Sequence, residues 1–406
     1  MRRGFGRILA FLVAERRTIG QGFVALLLAT VGSLAAGVVL GLITGTLERL
    51  PGLMILVPAA VATRGNIFGA LASRLGTSIH TGLFETGRAR EGLLYQNVFA
   101  ASVLTLSVSL AVALLAKAFA DAFGIFSISV VDFVVISLLG GLLASLFVGA
   151  FAVALSVRAY RRGWDLDSVA APLITAAGDM FTIPALYLAS FLTGIRWVTA
   201  GLAGGLALLA VVLLVVGLTT HLPAARRILR ESLPLLVVAG AVDILAGLVV
   251  QARLSEFVAL PALLMLIPPI LGNAGGLGGL LSSRLTSKLH LGVLTPRGRP
   301  ESVAILDATV VMLIALAIFP LLGVAAEALA LSLGLPSPGL VRMVGVAVIA
   351  GSIATALALL VAYYSAVATY RLGLDPDNHG IPMITSSMDF AGVLSVVVAL
   401  AAAGVA

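Results

Sequence analysis

Tyr160-Arg161-Arg162-Gly163-Trp164-Asp165-Leu166-Asp167, followed by Pro172, Thr175 and Asp179, occurs a second time as Tyr370-Arg371-Leu372-Gly373-Leu374-Asp375-Pro376-Asp377, followed by Pro382, Thr385 and Asp389. Every match lies 210 positions from its partner, with no gap. Each copy is a charged turn feeding an apolar run with a single acid inside it. Pro172 and Pro382 suit the first turn of a helix. At 1.5 Å per residue, each acid then sits roughly 10–12 Å into its run. A carboxylate at that depth is costly in an apolar setting and usually functional.

The surrounding composition fixes what kind of setting it is. The 406 residues are 60% hydrophobic and 11% charged, against about 25% charged in a soluble domain. The expected class is an all-α polytopic membrane protein, with the lipid bilayer as an obligate partner. A net charge of +7 would suggest nucleic acid in a soluble chain. Here the basic residues sit in short turns between apolar runs, so orientation in the membrane explains them and no nucleic acid is expected. The absence of cysteine excludes disulfides, thiolate metal sites and cysteine chemistry.

Runs long enough to cross a bilayer fall at about 19–43, 53–72, 94–116, 131–157, 171–193, 197–220, 232–250, 258–281, 303–323, 342–368 and 381–404, eleven in all. The offset of 210 pairs spans one to five with spans seven to eleven. Pro51, Pro58, Gly65, Gly69, Ser73, Arg74, Leu75, His80 and Gly82 recur as Pro261, Pro268, Gly275, Gly279, Ser283, Arg284, Leu285, His290 and Gly292. Two copies of five spans joined directly would be inverted. The unpaired sixth span restores parity, so the copies run parallel about an axis along the membrane normal. The expected layout is a cytoplasmic amphipathic N-terminus (1–18), a first repeat (19–196), a connector helix with its cytoplasmic loop (197–231) and a second repeat (232–406). With the N-terminus inside, nineteen of the 25 lysines and arginines fall on cytoplasmic segments and five on outer ones, while Arg64 lies within a span. The positive-inside rule favours this orientation in the cell membrane, with the C-terminus outside.

Parallel copies bring Asp179 and Asp389 to one depth, facing a common axis. Two carboxylates that close repel unless a cation or proton intervenes. The bland alternative is an acid paired with an arginine or capping a broken helix. Thr175 and Thr385 share the acids' face one turn earlier, and could serve a metal-bound water or simply bond back to their own helix. In the second spans, Pro58 to Asn66 and Pro268 to Gly276 put glycine and proline at mid-depth. That pattern predicts a broken helix lining a cavity, with Asn66 and Asn273 aiming amides into it. Close packing at the glycines is the other reading. Arg64 has Ala274 as its counterpart, and Asp243 has Ser33. The leading expectation for Arg64 is an ion pair with Asp243, which could otherwise be a third metal acid or a coupled-ion site. Ser73-Arg74-Leu75 and Ser283-Arg284-Leu285 read as helix-end anchors or as a cytoplasmic gate. No Walker-type phosphate loop or nucleophile–base set is present, so the chain is not expected to be an enzyme.

At these residues the sequence resembles the solute carrier 41 and MgtE superfamily of magnesium transporters and channels. The resemblance rests on Arg64-Gly65-Asn66 leading to Leu71-Ala72-Ser73-Arg74-Leu75, on the Gly/Asn run leading to Ser283-Arg284-Leu285 and His290, and on Pro172…Gly178-Asp179 with Asp375-Pro376-Asp377-Asn378…Pro382…Asp389. Two copies in one chain is similar to solute carrier 41, whereas bacterial MgtE has one copy and dimerises. The resemblance implies that Asp179 and Asp389 bind Mg²⁺ in the pathway. The cytoplasmic domains of MgtE are lacking, so gating through them is not expected. Mg²⁺ is often held through one or two carboxylates while keeping several waters; no cofactor is expected beyond the transported ion. The metal candidates are Asp179, Asp389, Thr175, Thr385, Asn66, Asn273 and Asp243. A monomer suffices for one pathway, and a homodimer is compatible. The alternative function is a proton- or sodium-coupled carrier of another small solute. A non-transporting scaffold or intramembrane enzyme is the least supported reading.

Overall fold

The computed structural model describes residues 16–80, 92–162, 166–373 and 376–405. Most of the expected N-terminal amphipathic segment and the centres of the repeated charged turns lie outside these residues.

The chain is helical throughout the described residues, in the order α1 (Arg16–Leu42), α2 (Thr44–Arg49), α3 (Leu53–His80), α4 (Leu93–Ala122), α5 (Val130–Arg162), α6 (Leu166–Ser190), α7 (Arg196–Thr219), α8 (Pro223–Ala252), α9 (Leu254–Ala259), a 3₁₀ turn (Pro261–Leu266), α10 (Ile267–His290), α11 (Ser302–Ser332), α12 (Leu340–Leu372) and α13 (Pro376–Ala402). Eleven of these segments are long and apolar enough to cross a membrane, taking the 3₁₀ turn together with α10. Several overrun the hydropathy windows. α5 and α12 each have 33 residues, about 50 Å of helix against a hydrocarbon core of about 30 Å. Polar residues end an apolar window without ending a helix. Thus α4 continues past Lys117 to Ala122. What ends it is Gly124, in the left-handed region at φ +66°; Gly334, 210 residues later, does the same after α11 at φ +65°.

The first helix of each half packs on the other half. α1 lies against α6 and also against α10 and the 3₁₀ turn, while α8 lies against α13 and also against α3 and α4. The contact is backbone to backbone at two glycines 210 residues apart. A Cβ on Gly37 would lie 2.3 Å from the carbonyl oxygen of Met265, and one on Gly247 would lie 2.4 Å from that of Ile55. Met265 and Ile55 are themselves 210 residues apart. Small residues permit this approach, which is how membrane helices gain van der Waals contact. The start of α8 is also fixed from the first half: the side-chain carbonyl of Gln96 accepts from the N–H groups of Ala224 (3.0 Å) and Ala225 (3.3 Å). α7 packs on α4, α5 and α8 at the periphery, and only 17% of its apolar window is buried.

The expected unwinding at mid-depth is not there. α3 is continuous through Pro58 and Gly65, and α10 is continuous through Gly272 to Gly279. In the second half the irregularity comes earlier, as the 3₁₀ turn before Pro268. The glycines serve approach rather than unwinding. The Gly65 backbone lies against Thr175 and Gly178 of α6, and Gly275 lies against Thr385 of α13.

Candidate cation site

On α3, successive residues point about 100° apart. Gly65 faces α6, Asn66 faces α13, where Thr385 Oγ1 donates to Asn66 Oδ1 at 2.8 Å, and Arg64 points to the far side, toward α4 and α5. This geometry explains why the expected Arg64–Asp243 pair does not form. The Arg64 guanidinium is fully buried, donates to the Ala60 carbonyl at 3.1 Å and to Ser109 Oγ, and makes no ion pair among the described residues.

The acids gather on the opposite side. Asp179 on α6 is buried and accepts a hydrogen bond from Ser33 Oγ on α1. Asp243 on α8 is buried, accepts from Ser386 Oγ at 3.3 Å, and lies within hydrogen-bonding reach of Asp389 on α13. Asp389 in turn lies within electrostatic reach of Asp179. Among the described residues no lysine, arginine or histidine pairs with any of the three. The two halves are built alike but filled differently: Ser33 with Asp179 in one, Asp243 with Asp389 in the other, each residue 210 from its counterpart. Gly272 of α10 closes over the first pair. A Cβ there would lie 3.1 Å from Ser33 Oγ and 3.3 Å from the Asp179 carboxylate.

The remaining expected ligands have other work. Asn66 and Asn273 do not occupy equivalent positions, since their counterparts are Gly276 and Thr63. The Asn273 amide oxygen accepts from Thr30 of α1 at 3.0 Å, and its amide nitrogen donates to the Pro269 carbonyl at 2.8 Å. The Thr30–Asn273 and Thr385–Asn66 bonds each cross from one half to the other. The Asn66 amide nitrogen is buried without a partner. Thr175 packs on Gly65. Thr30, Ser33, Ser386 and Gly272 were not singled out from sequence. Only Ser33 carried a signal, as the counterpart of Asp243. No group of three histidine, aspartate or glutamate side chains converges closely enough to hold a metal directly, among the described residues.

Nearer the basic ends of the second spans, Arg74 donates to Asn97 at 2.9 Å and Arg284 to Asp307 at 3.0 Å, with Lys288 adding a 2.5 Å contact to Asp307. Residues 97 and 307 are again 210 apart. These bonds tie α3 to α4 and α10 to α11. His290 lies edge-on to Tyr370 at 5.2 Å; the His80 side chain lies outside the described residues.

A helical membrane protein of two interlocked halves, with buried acids drawn together from both, belongs among the ion-translocating membrane proteins. The profile of the MgtE family, described as a divalent cation transporter, matches residues 57–189 and again 267–399, two stretches at the same 210-residue offset. The chain belongs to the MgtE family of divalent cation transporters, within the superfamily that includes solute carrier 41. It is 27% identical over 291 residues to solute carrier family 41 member 2 of Xenopus laevis, covering 67% of this chain and 49% of that protein. It is 25% identical over 398 residues to solute carrier family 41 member 3 of Rattus norvegicus, covering 92% of this chain and 85% of that protein. The chain thus spans about half the length of the first relative. No solved structure matches it significantly.

Proposed function

We propose that the protein carries Mg²⁺ across the cell membrane along a path between its two halves, with Asp179 and Asp389 as the central acids and Asp243 as a third. The observation that carries this reading is the gathering of three carboxylates from α6, α8 and α13, two buried and Asp389 half-buried, with no basic partner among the described residues. Such a cluster is stable only with cations or protons to offset it. An ion that keeps its inner waters meets carboxylates and hydroxyls at second-shell distance, and Ser33, Ser386 and Thr385 supply the hydroxyls. The absence of cysteine removes the soft ligands that copper or zinc would favour. The two bonds crossing between halves, Thr30–Asn273 and Thr385–Asn66, must give way for an ion to pass. One chain contains the whole path; a homodimer would hold two. The N-terminus is cytoplasmic and the C-terminus outside.

The test is uptake into sealed proteoliposomes. Replacing both Asp179 and Asp389 by Asn should lower Mg²⁺ flux by at least about 100-fold, the loss of roughly 2.7 kcal/mol of ion stabilisation, while the protein still inserts. Near-normal flux in that variant rejects the site. The Asp243–Asp389 pair also suits a coupled sodium or proton. Repeating uptake with and without each gradient separates an exchanger from a channel. Flux that ignores divalent ions but follows a proton or sodium gradient would favour a carrier of another small solute.

A further inference from the structure

Arg64 stands outside the acid cluster, and its role follows from comparing the same corner in the two halves. In the first half, the corner between α3, α4 and α5 is filled by the Arg64 guanidinium, capped by Ser109 Oγ and lying over Gly141 so closely that a Cβ there would be 1.9 Å from a guanidinium nitrogen. The counterparts at 210 residues' distance are Ala274, Phe319 and Gly351. In the second half the Phe319 ring covers Gly351, where a Cβ would be 2.2 Å from the ring. Both large side chains are fully buried. One space is thus filled from opposite walls: a long residue on α3 with a small one on α4, or a small residue on α10 with a large one on α11. The pairs carry about the same side-chain bulk, roughly nine heavy atoms against eight, the kind of volume-conserving exchange that cores tolerate best. The Arg64 Nε has no partner among the described residues, so the corner does not satisfy the cation fully.

The neighbours of Arg64 on α3 link it to the proposed ion path. Gly65 seats α6 just before Asp179, and Asn66 accepts from Thr385. The turn of α3 that holds both is fixed from behind by Arg64. We infer that Arg64 is a positioning residue, which sets the rotation of α3 so that Gly65 and Asn66 meet their partners, and that it acts through the volume it fills rather than through its charge. This inference rests on the proposed transport path.

The experiment compares Arg64→Ala, Arg64→Lys and the double variant R64A/S109F, which copies the second half's solution into the first. Each is reconstituted in nanodiscs for thermal unfolding without divalent ions, and in proteoliposomes for concentration-dependent Mg²⁺ uptake. R64A should unfold at lower temperature and lose about tenfold or more in flux, as small misplacements of a site commonly do. R64A/S109F should recover both to within about threefold of the parent. R64K, which keeps the charge but not the planar shape, should not. Recovery by R64K combined with failure of a folded R64A/S109F overturns the inference in favour of the charge. Full activity of R64A overturns it as well. If the parent carries no divalent ion, the transport reading fails, but the order of unfolding temperatures still decides whether Phe319-type packing replaces Arg64.

Discussion

Ser33 and Asp243 occupy equivalent places on α1 and α8, yet Ser33 donates a hydrogen bond to Asp179 while Asp243 meets Asp389 as a second carboxylate. The proposed pathway therefore has a hydroxyl on one flank and a second carboxyl on the other. That difference makes the two central acids non-equivalent in what their replacement should do.

Asp243→Asn removes one of two neighbouring carboxyls, Asp243 and Asp389. Without divalent ions the variant should be more stable than the parent, because it relieves the crowding of two carboxyls that otherwise need a proton or cation between them. The same change should weaken the divalent ion, raising the half-saturation concentration for uptake by about tenfold, or about 1.4 kcal/mol. Thermal unfolding with a chelator and uptake curves read the two opposite signs. A variant both less stable and fully active would contradict the arrangement.

Divalent ions should raise the unfolding temperature of the parent, because binding to the folded state alone contributes about 2.7 kcal/mol at 100-fold excess over the dissociation constant. The D179N/D389N variant should show no such rise. Titrating Mg²⁺ against Ca²⁺ in the same assay gives the preference without any flux measurement.

Thr385→Val removes the hydroxyl that the Asn66 amide oxygen accepts from, beside an amide nitrogen that already lacks a partner. The expected cost is about 1–3 kcal/mol, since a buried polar group is left unsatisfied. Thr175→Val should be nearly silent, because among the described residues Thr175 makes no such bond to the other half, where Gly276 stands in the place of Asn66. Serine at 385 should restore the parent value. Equal losses at 175 and 385 would sink this asymmetry.

Gly37→Ala and Gly247→Ala each drive a methyl group into a backbone carbonyl and should destabilise by more than about 2 kcal/mol, beyond the usual cost of overpacking because backbone cannot rotate away. Gly345→Ala, with nothing within 4 Å of the new methyl, should stabilise α12 by about 0.5–1 kcal/mol. Unfolding temperatures of the three variants check the contrast.

The spans, the repeat offset and the buried acid at Asp179 were legible because each leaves a one-dimensional signal: hydropathy over about 20 residues, rare residues in phase, and charge where charge is costly. Which way a helix faces leaves no such mark when every side is apolar. Arg64 and Asp243 look like partners on a list of intramembrane charges, but residues 64 and 66 lie about 200° apart on α3, and Asn66 took the face toward α13. The glycine runs suggested unwinding, whereas the structure uses them for close approach, two outcomes that share one composition. Ser33 and Thr30 are single hydroxyls in an apolar run. Their partners, Asp179 and Asn273, lie far along the chain.

The seating of Gly37 on Met265 has a consequence in time. At 5–20 residues per second, α1 leaves the ribosome roughly 10–45 s before the segment that covers its glycine face exists. α8 finds its berth on α3 and α4 already made. Within its own half the first helix packs mainly on α6, so its contacts with the 3₁₀ turn and α10 form only about two thirds of the way through synthesis. Synthesis is asymmetric even where the sequence repeats itself, and a chain stalled before Met265 would leave the Gly37 face uncovered.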